Sequence, residues 1–297
     1  MWEILTTVRT LILTQTGSGG TLSQVQQVKR GMLAPRAPFP QIAVIPVNEQ
    51  YRSLNSGGRA TIAKTIEAIL YWRDLRGKAA TKDMETHVDN LVSLVESKRQ
   101  IPDDGGVAQA MNAVIGGVDY AEEEMNQGVF HTARFPVTYI TKENLPTPTI
   151  TPIAVDDPGI RSVGNLIYTN LKNDVNLSGI RDFHDTAFGP FEKFPCIVVE
   201  AEMERSSPVF AGADQLAQQF SVSLMTPVLK AADTEMQTHL GYIEDIKARL
   251  WTDLNLTGKA QNRVMGVDHG STILSQRTLY ISRFPLEITA KASVTQA

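Results

Sequence analysis

Asp268-His269-Gly270-Ser271 sets a carboxylate, an imidazole and a hydroxyl within four consecutive positions, the residue types of a nucleophilic triad. Triads assemble from separate segments with the nucleophile on a sharp, strained turn, and the chain contains no Gly-x-Ser-x-Gly. These four residues therefore read as a loop. The five histidines are His87, His131, His184, His239 and His269. No two of them stand as His-x-x-x-His or His-Glu-x-x-His, so a zinc site built by local spacing is not expected. His87 and His239 stand apart because each closes the same short motif, Met84-x-Thr86-His87 and Met236-x-Thr238-His239. A histidine on a helix face near its first turn packs or caps; a pH-sensing or ligand role is the alternative.

Gly17-Ser18-Gly19-Gly20 has the composition of a phosphate loop. Such loops follow a strand and, in nucleotide triphosphatases, end in Gly-Lys-Ser/Thr; here a helical pattern precedes and no lysine follows, so the stretch reads as a flexible loop. Glu122-Glu123-Glu124 could hold a hard cation but reads as a solvated acidic face. Asp103-Asp104-Gly105-Gly106 has turn chemistry. Tyr71-Trp72-Arg73 lacks the basic surroundings of a base-stacking platform and reads as a strand end with an amphipathic rim. The single cysteine, Cys196, follows Pro195 in an apolar run, excludes an internal disulfide and reads as a buried small hydrophobe. No catalytic, cofactor-binding or metal-ligating residue is assigned, and the chain is not expected to be an enzyme.

The elements that would position these residues repeat. Gly117-Val118-Asp119 and Arg134-Phe135-Pro136 return as Gly266-Val267-Asp268 and Arg283-Phe284-Pro285, 149 positions later. The Met-x-Thr-His motif returns after 152 positions, and Phe39-Pro40-x-Ile42-x-Val44 returns after 155 as Phe194-Pro195-x-Ile197-x-Val199. Order is kept and the displacement falls steadily, as two diverged copies of one domain would give.

Each copy opens with a helical pattern, Leu5, Val8, Leu11 and Ile12 or Ile160, Val163, Leu166 and Ile167. A polar loop and a short strand follow, Gln41 to Val47 and Cys196 to Ala201. Then come protruding loops, Asn48 to Arg59 and Glu202 to Asp214, rich in Gly, Ser and Arg. A long strand alternates at Ile62, Lys64, Ile66, Ala68 and Leu70, matched by Leu216, Gln218, Phe220, Val222 and Leu224; period 2 with one apolar face predicts a sheet covered on one side. A second helix is predicted from Met84 to Lys98 and from Met236 to Trp251, with Thr81 and Asp233 placed to accept from first-turn N–H groups. Its inner stripe is Met84, Val88, Leu91 and Val95, against Met236, Leu240, Ile243 and Lys247, with Ile246 and Leu250 making the apolar contact where Lys247 departs. A strand at Ala113 to Asp119 or Asn262 to Asp268 and an extended stretch at 129–141 or 278–289 close the unit. Pro136 and Pro285 are expected at an edge or a bulge, since proline lacks the ladder donor.

The fold class is thus α+β: two tandem α-β-β-α-β-β copies, each a mixed or antiparallel sheet with helices on one face. The copies span 1–141 and 160–297, joined by a Pro- and Thr-rich linker at 142–159 whose prolines forbid regular hydrogen bonding. With 297 residues, 42% of them hydrophobic and 20% charged, there is enough apolar mass for two cores in a soluble protein. A net charge of −4 argues against a nucleic-acid gripper. No stretch approaches the ~20 apolar residues of a membrane span, and Met1-Trp2-Glu3 lacks the plan of a signal peptide, so a cytoplasmic protein with no membrane partner is expected.

An opening amphipathic helix, Phe-Pro-x-Ile-x-Val, a Gly-containing hairpin loop, an alternating strand, an amphipathic helix and a final Phe-Pro strand resemble the tail-terminator (tail-completion, head–tail joining) family of tailed bacteriophages. The resemblance covers residues 1–141 and 160–290. It implies a virion protein, assembled in the host cytoplasm, that closes as a ring on the tail tube, stops its polymerisation and joins tail to head. It further implies a homo-hexamer, with a trimer of pseudo-six-fold symmetry as the competitor that the doubled domain introduces. The implied partners are the tail tube protein, the head connector or stopper and the sheath, with DNA passing through the lumen without specific binding. Another neck or baseplate protein of a contractile tail fits the same pattern. A two-domain enzyme and a tandem-domain adaptor are the alternatives from other classes.

Overall fold

The computed structural model describes residues 1–31, 39–54, 59–73, 78–97, 101–102, 108–125, 128–144, 159–185, 191, 193–209, 213–228, 232–253, 260–274 and 277–293. They form four helices and thirteen strands of mixed sheet, an α+β composition. By contacts the chain divides into two units: Met1–Ser53, Thr61–Glu143 and Leu229–Gln237 in one, Leu54–Ala60, Asn144–Val228 and Thr238–Ala297 in the other.

In the first unit, α1 (Trp2–Leu13) buries Ile4, Leu5, Val8 and Ile12. Leu11, expected on that stripe, is half-buried, and Ile4 takes the inward place. A compact turn follows, closed by the Leu22 N–H donating to the Gln15 carbonyl at 2.9 Å; Gly19 there has φ +88°, a backbone that favours glycine. Next come β1 (Gln27–Arg30), β2 (Gln41–Leu54) and β3 (Arg59–Trp72), with β1 lying parallel to β2. Helix α2 (Lys78–Ser97) buries Met84, Val88, Leu91 and Val95, one residue per turn on the inner stripe. It leads into β4 (Ile101–Pro102), β5 (Ala108–Ile115), β6 (Asp119–Met125) and β7 (Gly128–Asn144). The strand order is β4-β5-β7-β3-β2, with β1 also on β2 and β6 also on β7.

The second unit has α3 (Ile160–Lys172), burying Val163, Ile167 and Leu171, while Ile160 and Leu166 are half-buried. A 3₁₀ turn at Val175–Leu177 is capped by the Asp174 carboxylate, which accepts from the Asn176 N–H at 2.8 Å. Strand β8 (Asp182–His184) runs parallel to β9 (Cys196–Val209), which pairs with β10 (Ala213–Pro227). Helix α4 (Ala232–Asp253), whose residues up to Gln237 belong to the first unit, buries Met236, Leu240, Ile243, Ile246 and Leu250; Lys247 is buried too, its ammonium 2.9 Å from Glu244. Then β11 (Ala260–Val264) and β12 (Gly266–Leu274) both pair with β13 (Arg277–Ser293), giving the order β12-β13-β10-β9-β8 with β11 also on β13.

Several expectations are corrected. The stretches expected as protruding loops at 48–59 and 202–214 are mostly strand: β2 runs to Leu54, and the β9–β10 ladder continues to Val209↔Ala213. Apolar alternation stops at Val47 and Ala201, but ladder bonds join backbone groups and continue through polar residues. Between Met203↔Gln219 and Ala201↔Phe220 the extra residue Glu202 forms a bulge. Strands β1 and β8 have no counterpart in the expected element order; each is anchored by one bond just before it, Gln26 N–H to the Pro40 carbonyl and Arg181 N–H to the Pro195 carbonyl, both 2.8 Å. The single strand expected at 113–119 is the end of β5 and the start of β6, and that at 262–268 is likewise divided between β11 and β12. Lys142–Asn144 continue β7 rather than starting a linker, and 145–158 lie outside the described residues.

Pro136 and Pro285 are not on edge strands. β7 has β3 on one side and both β5 and β6 on the other, and β13 is flanked in the same way. Each proline sits where the partner changes: Ile115↔Val137 gives way to Asp119↔Arg134, so residues 116–118 face only 135–136. In the second unit Val264↔Leu286 gives way to Asp268↔Arg283, so 265–267 face 284–285. Each junction is closed by one bond to the proline carbonyl, from Gly116 at 2.8 Å and from Met265 at 3.0 Å.

The alternating rows predicted by period 2 are buried, but the sheet is not covered on one side only, since Ala63, Ile69 and Tyr71 on the other face of β3 are buried as well. Ile62, Lys64, Ile66, Ala68 and Leu70 are all buried, as are Gln218, Phe220, Val222 and Leu224, together with Phe135 and Phe284. Each large apolar side chain so buried contributes roughly 1.5–3 kcal/mol. The polar members of these rows are paired: Lys64 with Glu143, and the Gln218 amide with Glu204 at 2.7 Å. A smaller cluster of Ala43, Ile69 and Tyr71 forms in the first unit, and one of Phe194, Cys196 and Leu279 in the second.

Candidate functional site

Four described polar side chains converge inside the second unit. Thr226 stands near the end of β10, His239 on α4, Ser282 on β13 and His269 on β12. His239 Nδ1 lies 2.8 Å from Thr226 Oγ1 and its Nε2 2.7 Å from Ser282 Oγ, while His269 Nδ1 reaches the same Ser282 oxygen at 2.8 Å. The Tyr280 ring covers His239 with centroids 5.6 Å apart. Burial, and next the charge of His269, push His239 down to about 3, so it stays neutral through the physiological range.

This arrangement is not a nucleophilic centre. Ser282 has 0% exposure and His239 2%, so no substrate carbonyl reaches the hydroxyl that the imidazoles could activate. Asp268 to Ser271, expected as a loop, lie in β12 in register with β13, Asp268 opposite Arg283 and Ser271 opposite Tyr280. His269 turns to Ser282 rather than to the neighbouring Ser271.

His87 is also buried, against the edge of the Trp72 ring, with centroids 4.9 Å apart and planes at 80°. Burial lowers its pKa, and Asp83 opposes the shift. His131 lies 3.4 Å from Glu122 across the β6–β7 ladder, which puts the acidic run on a strand with Glu122 exposed. His184 lies 3.2 Å from Asp182 and packs edge-on to Phe191. Tyr71 and Trp72 end β3, both buried, while Arg73 is exposed with its guanidinium 5.6 Å from the Phe130 ring. Cys196 is buried and its thiol pushed up to about 12, chiefly by desolvation, which makes it a poor nucleophile at neutral pH. The Gly17 to Gly20 turn follows α1, not a strand. Asp103 to Gly106 lie outside the described residues. Among the described residues no three His, Cys, Asp or Glu side chains converge as metal ligands, and no helix is long and apolar enough to cross a membrane.

Asp233 does not cap its own helix. It lies inside the first turn of α4, and its carboxylate accepts from the backbone N–H of Arg30 at 2.9 Å. The Arg30 guanidinium also donates to Thr6 at 2.7 Å and stacks 3.9 Å over the Trp2 ring, with Arg9 3.9 Å from Asp233. Of the side chain of Thr81, the other expected cap, nothing is described. The arginine of each Arg-Phe-Pro motif reaches across to neighbouring strands: Arg134 to Glu67 at 3.5 Å, and Arg283 to Ser221 at 2.6 Å and to Glu202. Recurrence of Arg-Phe-Pro was the one signal in the sequence for that role. The hydroxyl partners of His239 had none, because Thr226 and Ser282 lie 13 and 43 positions from it.

No protein-family model matches this sequence, and no curated protein matches it.

Proposed function

We propose that the chain is a structural protein of the phage neck, a tail terminator built from two tandem copies of one α+β domain. The observation that carries the reading is the recurrence of backbone anchors at the displacements of the sequence motifs. The bond closing β1 returns 155 positions later at β8, and the bond closing the β5–β6 junction returns 149 positions later at the β11–β12 junction. Anchors made by backbone atoms do not follow from shared residue types alone, so their spacing supports two copies of one architecture. The family resemblance then supplies the function: a ring on the tail tube that halts polymerisation and joins the tail to the head.

Chemistry supports an assembly role over catalysis. Thr226, His239 and Ser282 of the polar cluster are buried, and long hairpins such as β2–β3 and β9–β10 offer surfaces for heterologous contacts between subunits. A net charge of −4 suits a lumen through which DNA slides without sticking. Six chains match a six-fold tube one to one; three chains presenting six similar domains are the competitor. Mass measurement and negative-stain images of the purified protein test both: rings of six chains are expected, rings of three select the competitor, and a stable monomer with and without tail tubes overturns the reading.

A further inference from the structure

Helices α2 and α4 carry the same Met-x-Thr-His motif, yet among the described residues their first turns are secured differently. The first turn of α4 contains Asp233 and Glu235, anions that suit the positive end of a helix dipole; that of α2 contains no acid and begins with Lys78, a charge of the wrong sign. Asp233 accepts from the Arg30 N–H, and both ring nitrogens of His239 are bonded to hydroxyls. In α2 neither nitrogen of the buried His87 makes an ordinary hydrogen bond, and neither does the buried indole N–H of Trp72, whose ring lies edge-on to it. These three polar atoms give up water in the closed arrangement and regain it when the helix lifts.

We propose that residues 82–88 of α2 are a strap over the end of β3 that opens while the rest of the first unit stays folded, and that acid favours the open form. Opening bares the Trp72 indole together with Met84, His87 and Val88, all buried when the strap is closed. His87 supplies the acid response. In the closed strap burial lowers its pKa, outweighing the opposing pull of Asp83; in the open strap it returns to its ordinary 6.5. The open form therefore binds the proton more tightly. Closure is favoured fully above pH 6.5 and loses ground as pH falls below it.

The charged groups around the ring come from every element near it. On α2 itself, Asp83 favours the charged imidazole, while Glu85 and Asp89 act on Tyr120 of β6. β3 brings Trp72 with the exposed Arg73 after it, and on β7 His131 is turned to Glu122 of β6. α1 and β5 also lie against α2. Of these, α1 carries Glu3 and Arg9, with Arg9 drawn to Asp233, and β5 has no charged residue.

The test is hydrogen–deuterium exchange of the whole chain at about pH 7.5 and about pH 5.5, on either side of the ordinary imidazole value, with rates corrected for the intrinsic effect of pH. At the higher pH the amides of 84–88 should be about tenfold or more less protected than those of 236–240 in α4 and those of 64–70 in β3. Fraying from helix ends predicts the reverse order for the two helices, because Met84 is the seventh residue of α2 and Met236 the fifth of α4. Acid should lower the protection of 84–88 by a further factor of roughly three to ten, the response one imidazole supplies over that range. His87→Leu should abolish this step; His87→Gln, equally unable to titrate, replaces it if leucine costs the β3 amides their protection. Protection of 84–88 equal to either reference, no acid step in the parent, or an acid step that survives the substitution overturns the proposal.

Discussion

Two histidines at matching sequence positions have opposite surroundings. His239 is held by two hydroxyls, Thr226 and Ser282, whereas His87 lies against Trp72, and neither of its ring nitrogens makes a hydrogen bond of ordinary geometry. At the offsets of the repeated motifs, Trp72 stands where the second half has Thr226, Ala133 where it has Ser282, and Tyr120 where it has His269. Tyr120 is 52% exposed, and its hydroxyl pKa is raised by desolvation and by Glu85 and Asp89. One position on one type of helix therefore serves as an apolar filler in the first unit and a polar junction in the second. An imidazole tolerates both because its ring is apolar enough to pack and its nitrogens are strong enough to bond.

The comparison breaks first if the two cores are not equivalent. Phe135→Ala and Phe284→Ala each remove a fully buried ring and should each cost about 3–5 kcal/mol in urea unfolding. A loss at one position with none at the other would end the parallel.

Acid should act next. His239 has its ordinary value of 6.5 in the unfolded chain and a lowered one in the fold, so the unfolded chain binds the proton and the folded one does not. Its stabilisation is complete above pH 6.5 and is lost as pH falls from there towards about 3. By pH 5 the loss should be about 2 kcal/mol, and His239→Gln should flatten this slope in denaturation curves measured at several pH values. A slope unchanged by the substitution would mean that His239 is not buried neutral.

Replacing each histidine by leucine sharpens the contrast. His239→Leu strips Thr226 of its imidazole and should cost about 1–3 kcal/mol, whereas His87→Leu, which loses no ordinary hydrogen bond of the ring, should lie within about 1 kcal/mol of the parent. Equal costs in thermal unfolding would erase the distinction. The smallest effect is expected at the arginines of the repeated motif: with side chains 36% and 52% exposed, Arg134→Gln and Arg283→Gln should each change stability by about 0–1 kcal/mol.

What could be read in the sequence follows from how each element is stabilised. The inner faces of α2 and α4 and of β3 and β10 were legible because burial imposes a period on residue type. Strands β1 and β8, the outer parts of β2 and β9, and the split of β5 from β6 were not, because backbone bonding sustains them and leaves composition free. The site was half legible. A repeated Met-x-Thr-His pointed to His87 and His239, but their partners come from other strands, and no local pattern tells a hydroxyl at Ser282 from the methyl at Ala133.

The interrupted ladders opposite Pro136 and Pro285 have a mechanical consequence. A strand of 17 residues spans about 55 Å, and a continuous ladder of that length behaves as one stiff, steadily twisting plate. Setting three residues against two inserts a crease, with a single hydrogen bond to the proline carbonyl as its pin. On the other side of β13 the ladder with β10 runs unbroken past the same point, so the two halves of that strand stay joined along one edge. The extra residue opposite each proline lets the hairpin beyond it take its own twist on that side, and this twist lays Phe130 against Phe39 in the first unit and Tyr280 and Ser282 against His239 in the second.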